Sequence, residues 1–169
     1  MLAIPLGIFI FLRMFGENRF DIPVYHQQGV ETPFGDCLYP SGQFTVPDTL
    51  ISSRPGLHVF YSSTGKLTVN ELNNQLLRLS SLFEGAMPKV SIFAMDTLKV
   101  SHGEVVILEP KPINILMNCG FATDIFNQYI LVDEQGRIRG YFGSTLDEMD
   151  RLVVETKILI ENGTREQGN

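Results

Sequence analysis

The chain has 169 residues, of which 44% are hydrophobic and 19% are charged, and its formal net charge at pH 7 is −6. This length fits one compact domain of about 100 to 150 residues with flanking segments, and the hydrophobic content excludes a disordered protein. The negative charge and the lack of a long Lys/Arg cluster argue against a nucleic-acid partner, because phosphate binding requires clustered cations.

The first twelve residues, MLAIPLGIFIFL, are uncharged, and Arg13 ends this run. As a helix the run spans about 18 Å, less than the hydrocarbon core of about 30 Å, unless Arg13 snorkels and Met14 and Phe15 extend it. The turn-rich sequence that follows is typical of a tether. We therefore interpret residues 1–15 as a membrane anchor or its remnant, rather than as a core strand or helix.

Residues 16–56 are rich in proline and glycine, which favours loops and short edge strands. The prolines and glycines of this segment are Pro23, Pro33, Pro40, Pro47, Pro55, Gly16, Gly29, Gly35, Gly42 and Gly56. We predict a tether and edge segment here, with regular structure starting after Gly56.

A buried strand is predicted at residues 57–61, followed by a polar loop and a helix at residues 69–83. The apolar residues of this helix recur at spacings of three and four, which places them on one face. Thr68 and Glu71 form the pattern of a capping box, in which the hydroxyl accepts a backbone N–H and the carboxylate reaches back. The helix is therefore expected to begin just after Thr68.

The rest of the chain adds further strands, a short helix and a long helix. Strands are predicted at residues 89–95, 104–108, 128–132 and 137–142, a short helix at 112–118, and a last helix that opens with Thr145 and Glu148 and ends at Asn162-Gly163. The strands at 128–132 and 137–142 should form an antiparallel hairpin at a sheet edge. The predicted division is 1–15 anchor, 16–56 tether and edge segment, 57–162 folded domain and 163–169 flexible tail.

The loop FYSSTGKLT, at residues 60–68, has part of a phosphate-binding pattern. Such a loop needs G-x-x-x-x-G-K-[ST], because the first glycine lets the backbone curl and the hydroxyl binds magnesium. Here Phe60 and Leu67 occupy those two positions, and only Gly65 and Lys66 match. A nucleotide site is therefore not expected.

The order of strand, polar loop, helix, strand and late hairpin fits an α/β thioredoxin-like sandwich with a central mixed sheet, preceded by the N-terminal apolar segment. In that fold, the loop before the first long helix carries redox cysteines at the helix N-terminus, where the helix dipole stabilises a thiolate.

Two stretches carry a resemblance to a known family, VFYSSTGKLTVNELNNQLLRL and YILVDEQGRIRGYFGS. They resemble the corresponding segments of the SCO/SenC family of thioredoxin-like cytochrome c oxidase assembly proteins, over roughly residues 57–95 and 120–160. The resemblance implies a membrane tether and a domain on the periplasmic or outer side of a bacterial membrane. The positive-inside rule alone, applied to Arg13 and Arg19, would instead place the domain in the cytoplasm.

The chain departs from the family at its metal site. By the resemblance, Thr64 and Thr68 stand at the two copper-binding cysteines, and the position of the third ligand, a histidine, falls near Asp124 or Ile125. Cu(I) prefers soft thiolate and thioether ligands, so a neutral threonine hydroxyl is a poor substitute. We therefore expect a degenerate member whose loop is retained for folding, with no cofactor and no catalytic residue.

The chain has two cysteines, Cys37 and Cys119, without the C-x-x-C spacing of a zinc or dithiol site. They allow either a long-range disulfide in an oxidising compartment or two ordinary buried thiols.

The histidines, a set of Met, Cys and His residues, and a group of acids are each interpreted as structural, although each set also allows a functional interpretation. His26, His58 and His102 are spread over different elements with no i, i+4 pair. Met95, Met117, Cys119 and His102 together could form a relocated soft copper site, although methionine in an apolar segment is usually core filling. Asp147, Glu148 and Asp150 are interpreted as acids that complement a helix dipole.

The sequence therefore predicts a membrane-tethered, non-catalytic SCO-like accessory or binding protein, linked by resemblance to respiratory oxidase biogenesis, with an unidentified protein partner. Two rivals remain open. One is a thiol-disulfide protein that uses Cys37 and Cys119, and the other is a copper-binding chaperone with the relocated Met/His/Cys site.

Overall fold

The computed structural model describes residues 21–50, 55–83 and 85–166, and its centre is a mixed five-stranded sheet. The elements in chain order are β1 Gly56–Tyr61, α1 Val69–Phe83, β2 Lys89–Ala94, β3 Glu104–Ile107, α2 Pro110–Ile115, β4 Tyr129–Val132, β5 Ile138–Phe142 and α3 Leu146–Glu166. A short 3-10 turn, Asp48–Leu50, precedes β1, and a π-helical turn, Leu116–Gly120, follows α2.

The strand order across the sheet is β3-β2-β1-β4-β5. Strands β1, β2 and β3 are parallel, whereas β4 is antiparallel to β1 and β5 is antiparallel to β4. This arrangement confirms the predicted α/β class, the mixed sheet and the late hairpin at a sheet edge.

Each face of the sheet is covered by its own hydrophobic core. Helices α1 and α3 cover one face, where Val59 packs with Leu72 and Leu152. Helix α2, the π-helical turn and the segment before β1 cover the other face, where Phe60 packs with Phe121. Successive side chains of a strand point to opposite faces, so a sheet covered on both faces needs continuous apolar runs. This explains why β1 and β4 are buried along their whole length.

The described part of the predicted tether and edge segment, residues 21–50, packs against the domain along the β5 edge of the sheet. Ile22, Phe44 and Val46 are buried. The N–H of Tyr25 donates to the carbonyl of Ile138 at 2.9 Å, and the N–H of Val46 donates to that of Gly136 at 2.8 Å. Isolated apolar residues among prolines and glycines have no period, yet each can fill a gap in a core.

The predicted membrane anchor at residues 1–15 lies outside the described residues. Among the residues that the structure describes, no helix combines the length and apolarity needed to cross a bilayer.

Two helix boundaries differ from the sequence prediction. Helix α3 continues through Gly163 to Glu166, so Asn162-Gly163 does not end it and the predicted tail at 163–169 starts too early. A glycine lowers helix propensity by about 1 kcal/mol, which one position near a helix end can tolerate. Helix α2 starts at Pro110, two residues earlier than predicted, because proline is favoured in the first turn, where its missing N–H costs nothing.

Cys37 and Cys119 form a disulfide that joins the segment before β1 to the π-helical turn. Their Cα atoms are 5.3 Å apart, and 82 residues separate them in sequence. Near this bond, the hydroxyl of Tyr39 donates to the carbonyl of Asn118 at 2.6 Å. The bond therefore fixes residues 21–50 onto the face of the sheet that α2 and the π-helical turn cover.

We expect the double substitution Cys37→Ser and Cys119→Ser to lower the free energy of unfolding by about 4 kcal/mol, because the bond closes a long loop in the unfolded chain. Urea unfolding monitored by circular dichroism measures this loss. The wild-type chain in a dithiol reductant serves as the matched control and should lose the same amount. An unchanged unfolding midpoint in both samples would contradict the prediction.

Candidate functional site

The loop at residues 62–68 lies between the carboxyl end of β1 and the N-terminus of α1. Residues 63–66 are exposed, whereas Ser62 and Leu67 are buried and fix the two ends of the loop. The loop therefore occupies the place that the sequence assigned to a degenerate redox loop.

Thr64, at the first expected cysteine position, takes part in a tight turn. Its hydroxyl shares a hydrogen bond of 2.9 Å with the hydroxyl of Ser62, and its N–H donates to the same serine oxygen at 3.4 Å. The N–H of Gly65 donates to the carbonyl of Ser62 at 3.2 Å. The hydroxyl of Thr64 thus has a structural partner within its own turn.

Thr68, at the second expected cysteine position, forms the predicted capping box with Glu71. The N–H of Glu71 donates to the Thr68 hydroxyl at 3.2 Å, and the N–H and hydroxyl of Thr68 both donate to Glu71 Oε2 at 2.8 Å. The backbone hydrogen bond from Thr68, followed by the one from its hydroxyl, lowers the pKa of Glu71 below its ordinary value. Glu71 is therefore favoured as the carboxylate that the cap requires.

Asn127 joins the 62–68 loop to the segment before β4. Its Oδ1 accepts the N–H of Ser62 at 2.9 Å, its Nδ2 donates to the carbonyl of Ser62 at 3.1 Å, and its own N–H donates to the carbonyl of Phe60 at 2.6 Å. Its φ of 60° lies in the left-handed region, which asparagine tolerates better than most residues. The side chain of Asn127 therefore acts as an additional backbone partner at the end of β1.

Gly65 lies directly beneath the Asn127 amide. A Cβ atom at Gly65 would collide with the side-chain nitrogen of Asn127, so the pair fits only with glycine at this position. Sequence reasoning missed Asn127, because its partners are 65 residues away and an asparagine before a strand is a common turn residue.

Asp124 and Ile125, near the expected third copper ligand, lie on the same segment as Asn127. Both are exposed, and Ile125 is 59% exposed. Through Asn127 the structure brings this segment to the 62–68 loop. At the ligand positions that the resemblance implies, the side chains are threonine, aspartate and isoleucine.

In the relocated copper set of Met95, Met117, Cys119 and His102, the histidine lies apart from Met95, and Cys119 has no free thiol. His102 precedes β3, next to the start of β2, whereas Met95 follows the end of β2. Met117 is buried in the core, and Cys119 is in the disulfide. In the described ranges, no group of three or more His, Cys, Asp or Glu side chains could hold a metal ion.

The remaining histidines pack against aromatic rings. His58 is fully buried in β1, with its ring centroid 5.0 Å from that of Phe121 and 6.3 Å from that of Phe93. His26 Nε2 is 3.0 Å from the hydroxyl of Tyr141, and burial lowers the pKa of His26 against the opposing effect of Glu31.

The three acids at the start of α3 lie where a dipole and local contacts favour them. The N–H of Glu148 donates to the hydroxyl of Thr145 at 3.4 Å, and Asp150 forms an ion pair with Arg78 at 2.5 Å. Asp147 lies in the first turn of the helix. These contacts agree with the structural interpretation of the acids.

The alternative of a thiol-disulfide protein depends on Cys37 and Cys119, and both cysteines are in the half-buried disulfide. Because the chain has only these two cysteines, no free thiol accompanies the bond. The disulfide lies between two packed segments and not in the 62–68 loop.

Comparison with known proteins gives a likeness in structure and none in sequence. No protein-family profile matches the chain, and no curated protein sequence matches it. A SCO1/SenC family lipoprotein from Bacillus anthracis str. Ames superposes with a TM-score of 0.52 at 10% identity, over 66% of this chain and 84% of that one. BsSco, a Sco-family cytochrome c oxidase assembly protein in which a disulfide switch was identified, gives a TM-score of 0.46 at 10% identity, over 63% and 80%.

The first of these likenesses confirms the predicted fold. The chain is SCO-like in its architecture, as the resemblance of its two sequence stretches implied.

We expect substitutions at Asn127 and Gly65 to be coupled. Asn127→Gly keeps the left-handed backbone but removes the two amide hydrogen bonds, so it should lower the free energy of unfolding by about 2 kcal/mol. Gly65→Ala should destabilise the wild-type chain strongly and the Asn127→Gly chain much less, with a coupling energy of about 1 to 3 kcal/mol. Urea unfolding of the four proteins measures this cycle.

Gly143→Ala provides the matched control, because a Cβ atom there would meet only Glu148, at 3.7 Å. Its effect should add to that of Asn127→Gly without coupling. Additive effects for Gly65→Ala and Asn127→Gly would show that the amide does not occupy the space above Gly65.

Proposed function

We propose that this protein is a membrane-tethered, non-catalytic accessory or binding protein of the SCO-like type, and that it acts in respiratory oxidase biogenesis on the outer side of the membrane. The observation that carries the proposal is the use of the 62–68 loop for internal hydrogen bonds. Thr64 closes a turn with Ser62, Thr68 caps α1 with Glu71, and Asn127 holds Ser62.

The chemistry of these side chains supports the non-catalytic part of the proposal. A threonine hydroxyl is a hard and neutral oxygen ligand, which Cu(I) binds poorly, and it can neither form a disulfide nor give up an electron at ordinary potentials. Both threonine hydroxyls are already engaged within the loop. The loop can therefore contribute shape and hydrogen-bonding groups, but no soft ligand.

Two observations support the cellular setting. The fold is shared with a protein described as a SCO1/SenC family lipoprotein, and a lipoprotein is attached to a membrane. Disulfides persist in oxidising compartments and are rare in the cytosol, so the bond between Cys37 and Cys119 fits a domain on the outer side. The link to oxidase biogenesis rests on the structural likeness and the resemblance of sequence.

The exposed part of the site supports a binding role. Residues 63–66 and Ile125 are accessible at the carboxyl end of the parallel strands, on a backbone that Asn127 holds in place. A preformed surface loses little conformational entropy when a partner binds to it. The partner should therefore contact this end of the sheet.

A photo-crosslinking amino acid at position 63 tests this role in native membranes. We expect it to crosslink a subunit of a terminal oxidase, because Ser63 is exposed at the centre of the proposed surface. Lys157, which is exposed on α3 with 69% of its side chain accessible, provides the matched control and should not capture that subunit. Failure to capture any oxidase subunit from position 63, or equal capture from both positions, would contradict the proposed role.

A Cu(I) competition titration tests the absence of the metal site. With ascorbate, which keeps copper reduced and leaves the disulfide intact, we expect no stoichiometric Cu(I) binding to the wild-type chain, because its loop offers only oxygen ligands. The double substitution Thr64→Cys and Thr68→Cys should gain Cu(I) binding, which shows that the assay detects a restored site. Tight stoichiometric binding by the wild type would contradict the absence of a metal site and favour the copper-binding chaperone.

A further inference from the structure

The two edges of the sheet differ in the residues that cover them. The segment before β1 covers the β5 edge, where Tyr25 and Val46 donate to the carbonyls of Ile138 and Gly136, and Arg139 Nη2 donates to the carbonyl of Ile22 at 2.6 Å. Strand β3 forms the other edge, and among the described residues it pairs with β2 alone.

The register of β3 identifies the backbone groups that face outward. The N–H of Leu108 donates to the carbonyl of Ala94 at 2.9 Å, so Leu108 faces β2. Because alternate residues of a strand direct their backbone groups to opposite sides, Val106 also faces β2. The N–H and C=O groups of Val105 and Ile107 therefore point away from the sheet. No hydrogen bond to them comes from the described ranges 21–50, 55–83 and 85–166.

Strand β3 lacks the features that usually protect an edge. Its sequence EVVI contains no proline or lysine, its pairing with β2 shows no bulge, and its one charge is at its first residue, Glu104. The side chain of Ile107 is 48% exposed. Natural proteins normally avoid a bare apolar edge, because its free N–H and C=O groups can pair with another strand.

We propose that β3 is a dimerisation edge that pairs in antiparallel fashion with β3 of a second copy of the chain. In the register that uses all the outward groups, Val105 forms a hydrogen-bonded pair with Ile107 of the second copy, and Ile107 with Val105. Val106 then lies opposite Val106 of the second copy, on the two-fold axis. The two sheets would join into one continuous sheet across this axis.

Charge and symmetry favour a second copy as the occupant. In this register Glu104 lies opposite Leu108 of the second copy, so no like charges face each other along the strand, and apolar residues meet apolar residues. Since residues 21–50 cover the β5 edge, β3 is the edge that the described residues leave available for pairing. The contact is therefore the same on both subunits and closes into a dimer instead of growing into a filament.

Self-association of the full chain in one detergent, followed by light scattering over a wide concentration range, tests the dimer. We expect the mass to rise from monomer to dimer with concentration, because the contact is short. Ile107→Pro removes the outward N–H and keeps the bonds to β2, since proline is tolerated at such edge positions. It should weaken dimerisation about tenfold or more while the thermal unfolding of the chain stays close to that of the wild type.

Ile107→Ala is the matched control, because it shortens the exposed side chain but keeps the outward N–H. It should dimerise more tightly than Ile107→Pro. A wild-type chain that stays monomeric at all concentrations would overturn the proposal, even if the β3 edge binds a different protein. So would an Ile107→Pro chain that associates as tightly as the wild type.

Cysteine crosslinking tests the register. Two Val106→Cys chains would face each other in a non-hydrogen-bonded pair with Cα atoms about 4.5 Å apart, within the range of a disulfide. Val105→Cys is the control. In this register position 105 lies opposite position 107 of the second copy, so the two substituted positions are two residues apart along the strand and out of disulfide range. We expect a covalent dimer from Val106→Cys alone under mild oxidation, and equal crosslinking of both variants would refute this register.

Discussion

The hydrogen bonds between Asn127 and Ser62 are the constraint on which the rest of the site depends. At the end of β1 the chain leaves the sheet, and the backbone groups of Ser62 need new partners. The amide of Asn127 supplies both, at 2.9 and 3.1 Å. The turn of Thr64 and Gly65 and the start of α1 then follow from a fixed position of Ser62.

Asn127 can play this role only because the segment that carries it is itself held. Phe121 packs against Phe60 with ring centroids 5.2 Å apart, and its carbonyl accepts the hydroxyl of Tyr141 at 2.9 Å. A few residues earlier, the disulfide at Cys119 attaches the π-helical turn to residues 21–50. Core packing on one face of the sheet therefore determines the loop geometry at its end.

Local signals were sufficient to predict the regular elements. Strand β1, helix α1 and the β4-β5 hairpin each have a strong period or a turn signature, and the capping box of Thr68 and Glu71 lies within four residues. The structure reproduces these elements and the α/β architecture with a mixed sheet that their order implied. Propensity, pattern and capping agree at these positions, which is why the sequence specifies them.

Contacts between distant residues could not be predicted in the same way. Ile22, Phe44 and Val46 are single apolar residues in a proline-rich and glycine-rich segment, so no period indicates their burial. The partner of Asn127 is far away in sequence, and the two cysteines are compatible with either a disulfide or two free thiols until their Cα atoms are located. Each of these features depends on tertiary packing, which a one-dimensional pattern does not contain.

Hydrogen exchange of the Ser62 amide is the most direct measurement of the central constraint. If Asn127 holds the loop, the N–H of Ser62 exchanges far more slowly than that of exposed Ser63, and Asn127→Gly removes this protection while the amides of β1 remain protected. A Ser62 amide that exchanges as fast as that of Ser63 in the wild-type chain would contradict the account, because the loop would then be held by something other than Asn127.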